Sequence, residues 1–256
     1  NFKKKVGWDD TSKLIVAYGI ASAMSFIHSH EIVHCNLNPN NILLDDSFYP
    51  KIIGFNLAAK RIHEESFVPF EECSIKYIAP EVFSSQIFSK ASDVYSFALI
   101  LYEIFTDERP YKNVNTLMGI SARVKSERPP IDEKLPNCYK SLIEKCWDPN
   151  PRNRPSFEEI QEQLKNNGDF ITKTIDIDKY QNYINFIDQS SKIFEDINHE
   201  EPSKIEEKAS IFKILDKQLN IISSSFQFLN LKEYTVSKKI KSGFKDYYLI
   251  KNEANG

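Results

Sequence analysis

The sequence is poor in the residues that build phosphate-cradling loops, disulfide frameworks and membrane spans. It holds seven glycines, four cysteines and two methionines among 256 residues. The longest apolar run lies near residues 97–101 and is far shorter than the ~18 residues of a spanning helix. We therefore expect no signal peptide, no membrane span and no low-complexity segment. A hydrophobic content of 41% is enough for one sizeable core with smaller appendages.

The charge and the cysteines exclude further classes of protein. Basic residues number 33 and acidic residues 36, which gives a net charge of −3. This balance provides no basic footprint for nucleic acid, and the run Lys3–Lys5 is too short for a membrane signal. Cys35, Cys73, Cys138 and Cys146 lack C-x-x-C spacing, which argues against a zinc site and suits a reducing compartment. We expect a cytoplasmic protein without nucleic-acid or membrane partners.

Several sequence blocks follow one another in order through the first two thirds of the chain. Apolar residues recur at helical spacing from Leu14 to His28, which predicts a buried amphipathic helix. The later blocks are the loop His34–Leu44, the strand and turn Lys51–Asn56, the motif Ala79-Pro80-Glu81, the apolar segment Ser92–Glu103, and the stretch from Cys146-Trp147-Asp148-Pro149 to Arg154-Pro155-Ser156-Phe157.

These blocks resemble, in order and content, the large lobe of a protein kinase, and the last block resembles the tyrosine-kinase-like group. The resemblance implies a mainly α fold with a kinase large lobe over residues 1–167 and no small lobe before it. A helical linker is expected over 168–228. A short β-hairpin is expected within 229–256, where the sequence resembles the start of a second kinase small lobe with Gly243 in its loop.

The resemblance identifies four positions of the active centre, and three of them have changed. The family's catalytic loop reads H-R-D-L-x-x-x-N. Asn36 stands at the place of the Asp that acts as base, and Asn38 at the place of a Lys that meets the transferred phosphate. Gly54 replaces the D-F-G Asp that binds Mg²⁺, while Asn41 keeps the second metal-ligand position.

These changes bear directly on phosphoryl transfer. An amide has no useful proton affinity near neutral pH, and Mg²⁺ prefers carboxylate oxygen, which glycine lacks. We therefore expect no cofactor, with ATP and Mg²⁺ bound only if the chain is an active kinase. A simpler interpretation of Asn36 is a local hydrogen-bonding residue of a tight loop.

Five other positions resemble residues that hold the family's fold together. His34 and Phe55 are expected to pack, and neither argues for activity. Glu81 and Arg154 are expected to form a buried ion pair. Asp93 is expected to accept N–H groups of the catalytic loop, or simply to favour the start of its own helix through the helix dipole.

The stretch from residue 58 to residue 78 corresponds to the family's activation segment. It contains Ser66, Ser74 and Tyr77, each of which is either a site for an upstream kinase or an ordinary surface hydroxyl. Ser74 occupies the place where Ser/Thr kinases contact the base and the Lys, and both of those positions are Asn here.

The residues after the kinase-like blocks carry two further helical patterns. One includes Tyr180, Tyr183 and Ile184, and a second spans residues 212–222 after a break at 199–203. This segment is either a helical hairpin that docks on a partner or on the lobe, or a connecting element that covers its own apolar face.

Three functions fit this sequence. The first is a pseudokinase of the tyrosine-kinase-like group that acts as a signalling scaffold or allosteric partner, with other signalling proteins or an upstream kinase as partners. The second is a Ser/Thr protein kinase whose small lobe lies outside this chain. The third is a decayed sequence without an independent role. Magnesium-dependent nucleotide binding distinguishes the second from the first.

Overall fold

The computed structural model describes residues 7–60, 74–114, 116–198, 234–242 and 245–252. Over these ranges the chain is mainly helical, as predicted. The helices are α1 (Asp10–Ser29), α2 (Val82–Ser85), α3 (Lys90–Thr106), α4 (Leu117–Ser126), α5 (Asn137–Cys146), α6 (Phe157–Asn166) and α7 (Ile177–Asn198). The strands are β1 (Ile32–Val33), β2 (Ile42–Leu44), β3 (Pro50–Ile52), β4 (Ala59–Lys60), β5 (Tyr234–Ser242) and β6 (Lys245–Asn252).

Helix α1 lies in the middle of the core and contains the predicted helix Leu14–His28. Its first turn is capped by Asp9, whose Oδ1 accepts the N–H of Ser12 at 2.7 Å. Side chains such as Tyr18 and Met24 are fully buried, because α3, α6, α7 and β3 surround the helix on several sides. Each such side chain stabilises the fold by roughly 1.5–3 kcal/mol.

Helix α3 is the second buried helix, and it begins at a well-formed cap. The Oγ of Ser89 accepts the N–H of Ser92 at 3.2 Å, and the Oγ of Ser92 accepts the N–H of Ser89 at 2.8 Å, which gives a reciprocal capping box. Asp93 follows in the first turn, and the helix ends at Thr106, after which Asp107 adopts a left-handed conformation. The helix packs against α1 and α5, so that Asp93 is fixed at the centre of the lobe.

Two short antiparallel ribbons position the loop of residues 34–41. Strand β1 pairs with β4, and β2 pairs with β3 so that Ile42 faces Ile52. The loop leaves β1 and enters β2, while Gly54 follows β3 after one intervening residue. The N–H of Ile53 donates to the carbonyl of Asn41 at 2.9 Å and joins the two segments.

Helix α7 packs on the lobe beside α1. Tyr180, Tyr183 and Ile184 are buried, and both tyrosine rings meet the edge of Tyr18 at centroid distances of 5.9 and 6.1 Å. Lys165 of α6 also bonds the Asp188 carboxylate at 2.9 Å. The lobe therefore covers these three apolar residues of the first helical pattern.

Other expectations for the C-terminal region remain predictions. The break at 199–203 and the helical pattern at 212–222 lie outside the described residues, as do Lys3–Lys5 and Gly243. Strands β5 and β6 pair antiparallel from Tyr234 with Asn252 to Ser242 with Lys245. This pairing does not test the expected domain boundaries at 167/168 and 228/229. It also does not test the likeness to the start of a second kinase small lobe.

A buried ion pair fastens the segment after residue 74 to the late helices. The Arg154 guanidinium donates to both carboxylate oxygens of Glu81 at 2.6 and 2.9 Å. It also donates to the carbonyls of Ala91 and Asp148 and lies over the ring of Tyr95. The Arg154 side chain is 0% exposed, whereas that of Glu81 is 26% exposed.

We expect Glu81→Gln to lower the free energy of unfolding by about 3 kcal/mol, because it leaves a buried guanidinium without its countercharge. The value lies at the low end of the usual range since two carbonyls and a ring still contact Arg154. Urea unfolding at neutral pH measures this loss.

Glu127→Gln is the matched control, because its exposed pair with Arg123 on α4 contributes only ~0.3–0.5 kcal/mol. Equal losses in the two variants would show that the Glu81–Arg154 pair does not fasten the lobe.

Candidate active site

The backbone at the start of the loop of residues 34–41 donates hydrogen bonds to the carboxylate of Asp93. Asp93 Oδ2 accepts the backbone N–H of His34 at 2.8 Å, and Oδ1 accepts that of Cys35 at 3.0 Å. The Nε2 of His28 lies 3.0 Å from Oδ2. Asp93 is 1% exposed, and a carboxylate buried to this extent requires such donors. The loop backbone is therefore fixed from the N-terminus of α3.

His34 is buried beside this carboxylate, and both of its ring nitrogens face the backbone. Nε2 lies 3.0 Å from the carbonyl of Ile53, to which it donates, and Nδ1 accepts the N–H of Asn36 at 3.2 Å. The ring also packs on Phe55 at 4.8 Å. One donating and one accepting ring nitrogen fit the neutral imidazole. Burial lowers the pKa of His34, which favours the same neutral form. His34 therefore serves as a packed support of the loop.

Three asparagines form one hydrogen-bonded cluster at the centre of the loop. The Nδ2 of Asn38 donates to the carbonyl and to the Oδ1 of Asn36 at 2.7 and 3.0 Å. The Nδ2 of Asn41 donates to the same carbonyl at 2.8 Å, and the Oδ1 of Asn38 accepts the N–H of Asn40. The structure thus brings Asn36, Asn38 and Asn41 together as neutral amides.

Gly54 lies directly against this cluster. Its φ of +82° is a left-handed conformation that other residues rarely adopt. A Cβ at Gly54 would lie 2.6 Å from the Nδ2 of Asn41 and closer still to its Cγ and Oδ1. The amide of Asn41 therefore fills the space where a side chain at position 54 would begin.

The hydroxyl residues of the activation segment contact the lobe. Ser74 meets the cluster through its backbone, whose N–H lies 3.4 Å from the Oδ1 of Asn36. The Tyr77 hydroxyl donates to the Glu103 carboxylate at 2.6 Å. Burial, together with the charge of Glu103, raises the pKa of Tyr77. Tyr77 is therefore held against the lobe, and Ser66 lies outside the described residues.

The residues present do not fit a magnesium ion. The Oδ1 atoms of Asn36 and Asn38 already accept hydrogen bonds, which leaves the Oδ1 of Asn41 as a single neutral oxygen, and the side chain of Gly54 offers no ligand atom. Within the described ranges, no group of three His, Cys, Asp or Glu side chains is arranged to hold a metal. A site for Mg²⁺ normally supplies at least one carboxylate.

Two features of the site are missed by the sequence analysis. The contact of Asn41 with Gly54 joins the residue before β2 to a residue after β3 and has no local signal in the sequence. His28 contacts the carboxylate of Asp93 from the last turn of α1. In the sequence, the only indication of this contact is a histidine near the end of a predicted helix, shortly before the loop.

No helix in the described part of the chain has both the length and the apolar character needed to cross a bilayer.

We expect the free energy of unfolding to fall faster with acidification in the unmodified chain than in a His34→Gln variant. The unfolded histidine takes up a proton near pH 6.5, whereas the buried ring resists it, because its pKa is lowered. The stability that His34 contributes is thus complete above about pH 6.5 and is lost as the pH falls toward the lowered value. Urea unfolding at neutral and mildly acidic pH measures the difference.

His30→Gln serves as the control because His30 is exposed at the end of α1, and it should keep the acid sensitivity of the unmodified chain. Parallel pH profiles for the unmodified chain and His34→Gln would contradict the neutral, buried imidazole.

Comparison with known proteins identifies a family that this chain matches. The family model described as protein tyrosine and serine/threonine kinase matches residues 3–164. A Dictyostelium discoideum protein, named a probable LIM domain-containing serine/threonine-protein kinase, is 32% identical over 161 residues, which cover 63% of this chain and 25% of that protein.

Two further relatives come from distant organisms. Serine/threonine-protein kinase 12 of Arabidopsis thaliana is 36% identical over 157 residues, covering 58% of this chain and 34% of its own length. Mitogen-activated protein kinase kinase kinase 13-B of Xenopus laevis is 33% identical over 161 residues, covering 61% and 16% respectively. This chain therefore spans about a third or less of the length of these relatives. On the family match over most of the chain, this protein belongs to the protein tyrosine and serine/threonine kinase family.

Proposed function

We propose that this kinase-family domain is a pseudokinase of the tyrosine-kinase-like group that does not transfer phosphate and acts as a signalling scaffold or allosteric partner. The observation that carries the proposal is the contact between Asn41 and Gly54. The two positions that would share a magnesium ion in the family are packed against each other, with no carboxylate at either.

The residues at the family's metal-binding positions, Asn41 and Gly54, give the first support for the proposal. Phosphoryl transfer depends on Mg²⁺ to neutralise charge on the phosphates. Asn41 holds the carbonyl of Asn36 through its Nδ2, so that only its Oδ1, which lies against Gly54, is left as a ligand atom. One neutral amide oxygen is a weaker ligand for Mg²⁺ than a carboxylate, and the side chain of Gly54 adds no second ligand.

The base position supports it independently. The Oδ1 of Asn36 faces two N–H donors, from Asn38 and Ser74. An amide oxygen in this arrangement can orient a hydroxyl group but cannot take its proton at neutral pH. Asn38 supplies no positive charge to a transferred phosphate, because it is neutral and its amide is engaged with Asn36 and Asn40.

The supporting contacts are intact, which favours a folded partner over a decayed sequence. Asp93 holds the loop, and Glu81 pairs with Arg154 in a bidentate contact. A domain that keeps these costly buried charges in satisfied networks has retained its shape. The partners that we propose are other signalling proteins or an upstream kinase, in the cytoplasm. No cofactor is needed for this role.

A second candidate is a Ser/Thr protein kinase with weak or unconventional chemistry. The names of the relatives favour it, since two are called serine/threonine-protein kinases and the third a mitogen-activated protein kinase kinase kinase. In this case Asn41 would turn toward the metal when nucleotide binds, and ATP with Mg²⁺ would be the cofactors.

We expect ATP to give the chain no magnesium-dependent rise in melting temperature. A ligand at 100 times its dissociation constant stabilises the folded state by about 2.7 kcal/mol, a shift that thermal unfolding detects readily. Measurements with ATP alone, Mg²⁺ alone and both together separate the metal effect from a general effect of ions. A rise that requires both, accompanied by phosphate transfer to a peptide, would favour the kinase.

We also expect Gly54→Ala and Gly54→Asp both to lower stability by about 1–2 kcal/mol, because each puts a Cβ into a left-handed position that Asn41 already fills. Chemical unfolding measures the loss. Gly54→Ala is the matched control for the carboxylate. If Mg²⁺ with ATP stabilises only Gly54→Asp, the carboxylate is what the site lacks. If both variants are as stable as the unmodified chain, the packing of Asn41 on Gly54 is not the constraint that we describe.

A further inference from the structure

An open apolar groove of about 440 Å³ lies along α4, away from the candidate active site. Phe83 of α2 lines one side. The other side is formed by one face of α4, comprising Leu117, Met118, Ser121, Ala122 and Lys125. Ser121 and Lys125 are the polar residues of this lining, and Ala122 is small. The groove is therefore mainly a site where apolar side chains can pack.

Helix α4 presents apolar residues on two faces, and only one of them faces the core. Ile120 and Val124 are fully buried. Met118 is 83% exposed and Leu117 is 43% exposed, although both are large apolar side chains. Adjacent exposed side chains of this kind mark contact surfaces, and methionine adapts readily to different partners.

Positive charges lie at and beside the groove. Lys125 lines the groove and forms no ion pair with any residue that the structure describes. The turn Ile75–Tyr77, which packs on α4, carries Lys76. The Nζ of Lys76 donates to the carbonyl of Tyr111 at 3.2 Å, and burial, together with the positive charge of Arg109, lowers the pKa of Lys76. Arg109 is itself exposed.

The carboxylates near these cations are already engaged. Glu127 pairs with Arg123 along α4, and Glu103 accepts the hydroxyl of Tyr77. Glu103 keeps its negative charge, because the Tyr77 hydroxyl is neutral, and the three cations Lys125, Lys76 and Arg109 exceed it to leave a net positive field beside the groove. Such a field favours a negatively charged partner and accelerates its association.

We propose that this groove docks an acidic amphipathic segment of a partner protein. Apolar side chains of the segment would pack on Leu117 and Met118, and its carboxylates would face Lys125, Lys76 and Arg109. Helix α4 has ten residues and is about 15 Å long, which matches roughly three turns of a partner helix. The surface does not involve Asn36, Asn41 or Gly54, so the proposal holds whether or not the domain transfers phosphate.

A pair of labelled helical peptides tests this proposal with the whole chain. Each peptide is about 15 residues long, a length at which an alanine-rich helix forms in water. One carries Leu and Phe on one face and Glu on the flanks, and the other carries Lys in place of every Glu. Fluorescence anisotropy gives their affinities at low and high salt.

We expect the acidic peptide to bind and the basic peptide not to bind. Met118→Asp should weaken the acidic peptide at least about tenfold, because it puts a charge where an apolar contact forms. Lys125→Glu should weaken it and reduce its dependence on salt. Ile177→Asp is the matched control, since Ile177 is an exposed apolar residue at the start of α7, and it should leave binding unchanged.

Several results would overturn the proposal. They are equal binding of both peptides, no effect of Met118→Asp, or no binding of the acidic peptide up to about 1 mM. Sedimentation of the chain alone provides a further test. A dimer that Met118→Asp dissolves and that excludes the peptide would assign the groove to a second copy of the chain instead.

Discussion

The buried carboxylate of Asp93 is the interaction on which the rest of the site depends. It stands at the N-terminus of α3, where the helix dipole favours a negative charge, and it accepts two consecutive N–H groups of the loop as well as facing His28. Because these contacts fix the backbone at His34 and Cys35, they fix where Asn36, Asn38 and Asn41 can reach. Loss of this carboxylate would leave two buried donors unsatisfied at the entrance to the loop.

The structure separates the contacts that hold the loop from the residues that would do chemistry. Backbone groups and buried charges hold the loop, and these are all present. The chemistry would come from side chains at four positions, and these are three amides and a glycine. The side chains of Asn38 and Asn41 both donate to the carbonyl of Asn36, so that the amides are held together by their own hydrogen bonds. A polar network of this kind is stable as it stands, and rearranging it has a cost.

The sequence predicts the scaffold better than it predicts the site. The helical spacing from Leu14 to His28 places α1, since the period of apolar residues is a property of the helix itself. The pairing of Glu81 with Arg154 follows from the family resemblance, and the structure contains it. The packing of Asn41 on Gly54 could not be predicted, because it depends on the register of β2 with β3 and on a positive φ. The exposure of Met118 likewise depends on which face of α4 meets the core, and a ten-residue helix with apolar residues on two faces leaves that undecided.

The central claim is that the amide cluster does not hold a metal–nucleotide complex. The most direct test is an NMR titration of the chain with Mn²⁺ and ATP, in which the paramagnetic ion stands in for Mg²⁺ and broadens nearby amide signals. The account predicts that the signals of Asn36, Asn41 and Gly54 broaden no more than those of exposed residues elsewhere. Selective broadening of these three signals, dependent on ATP, would contradict it.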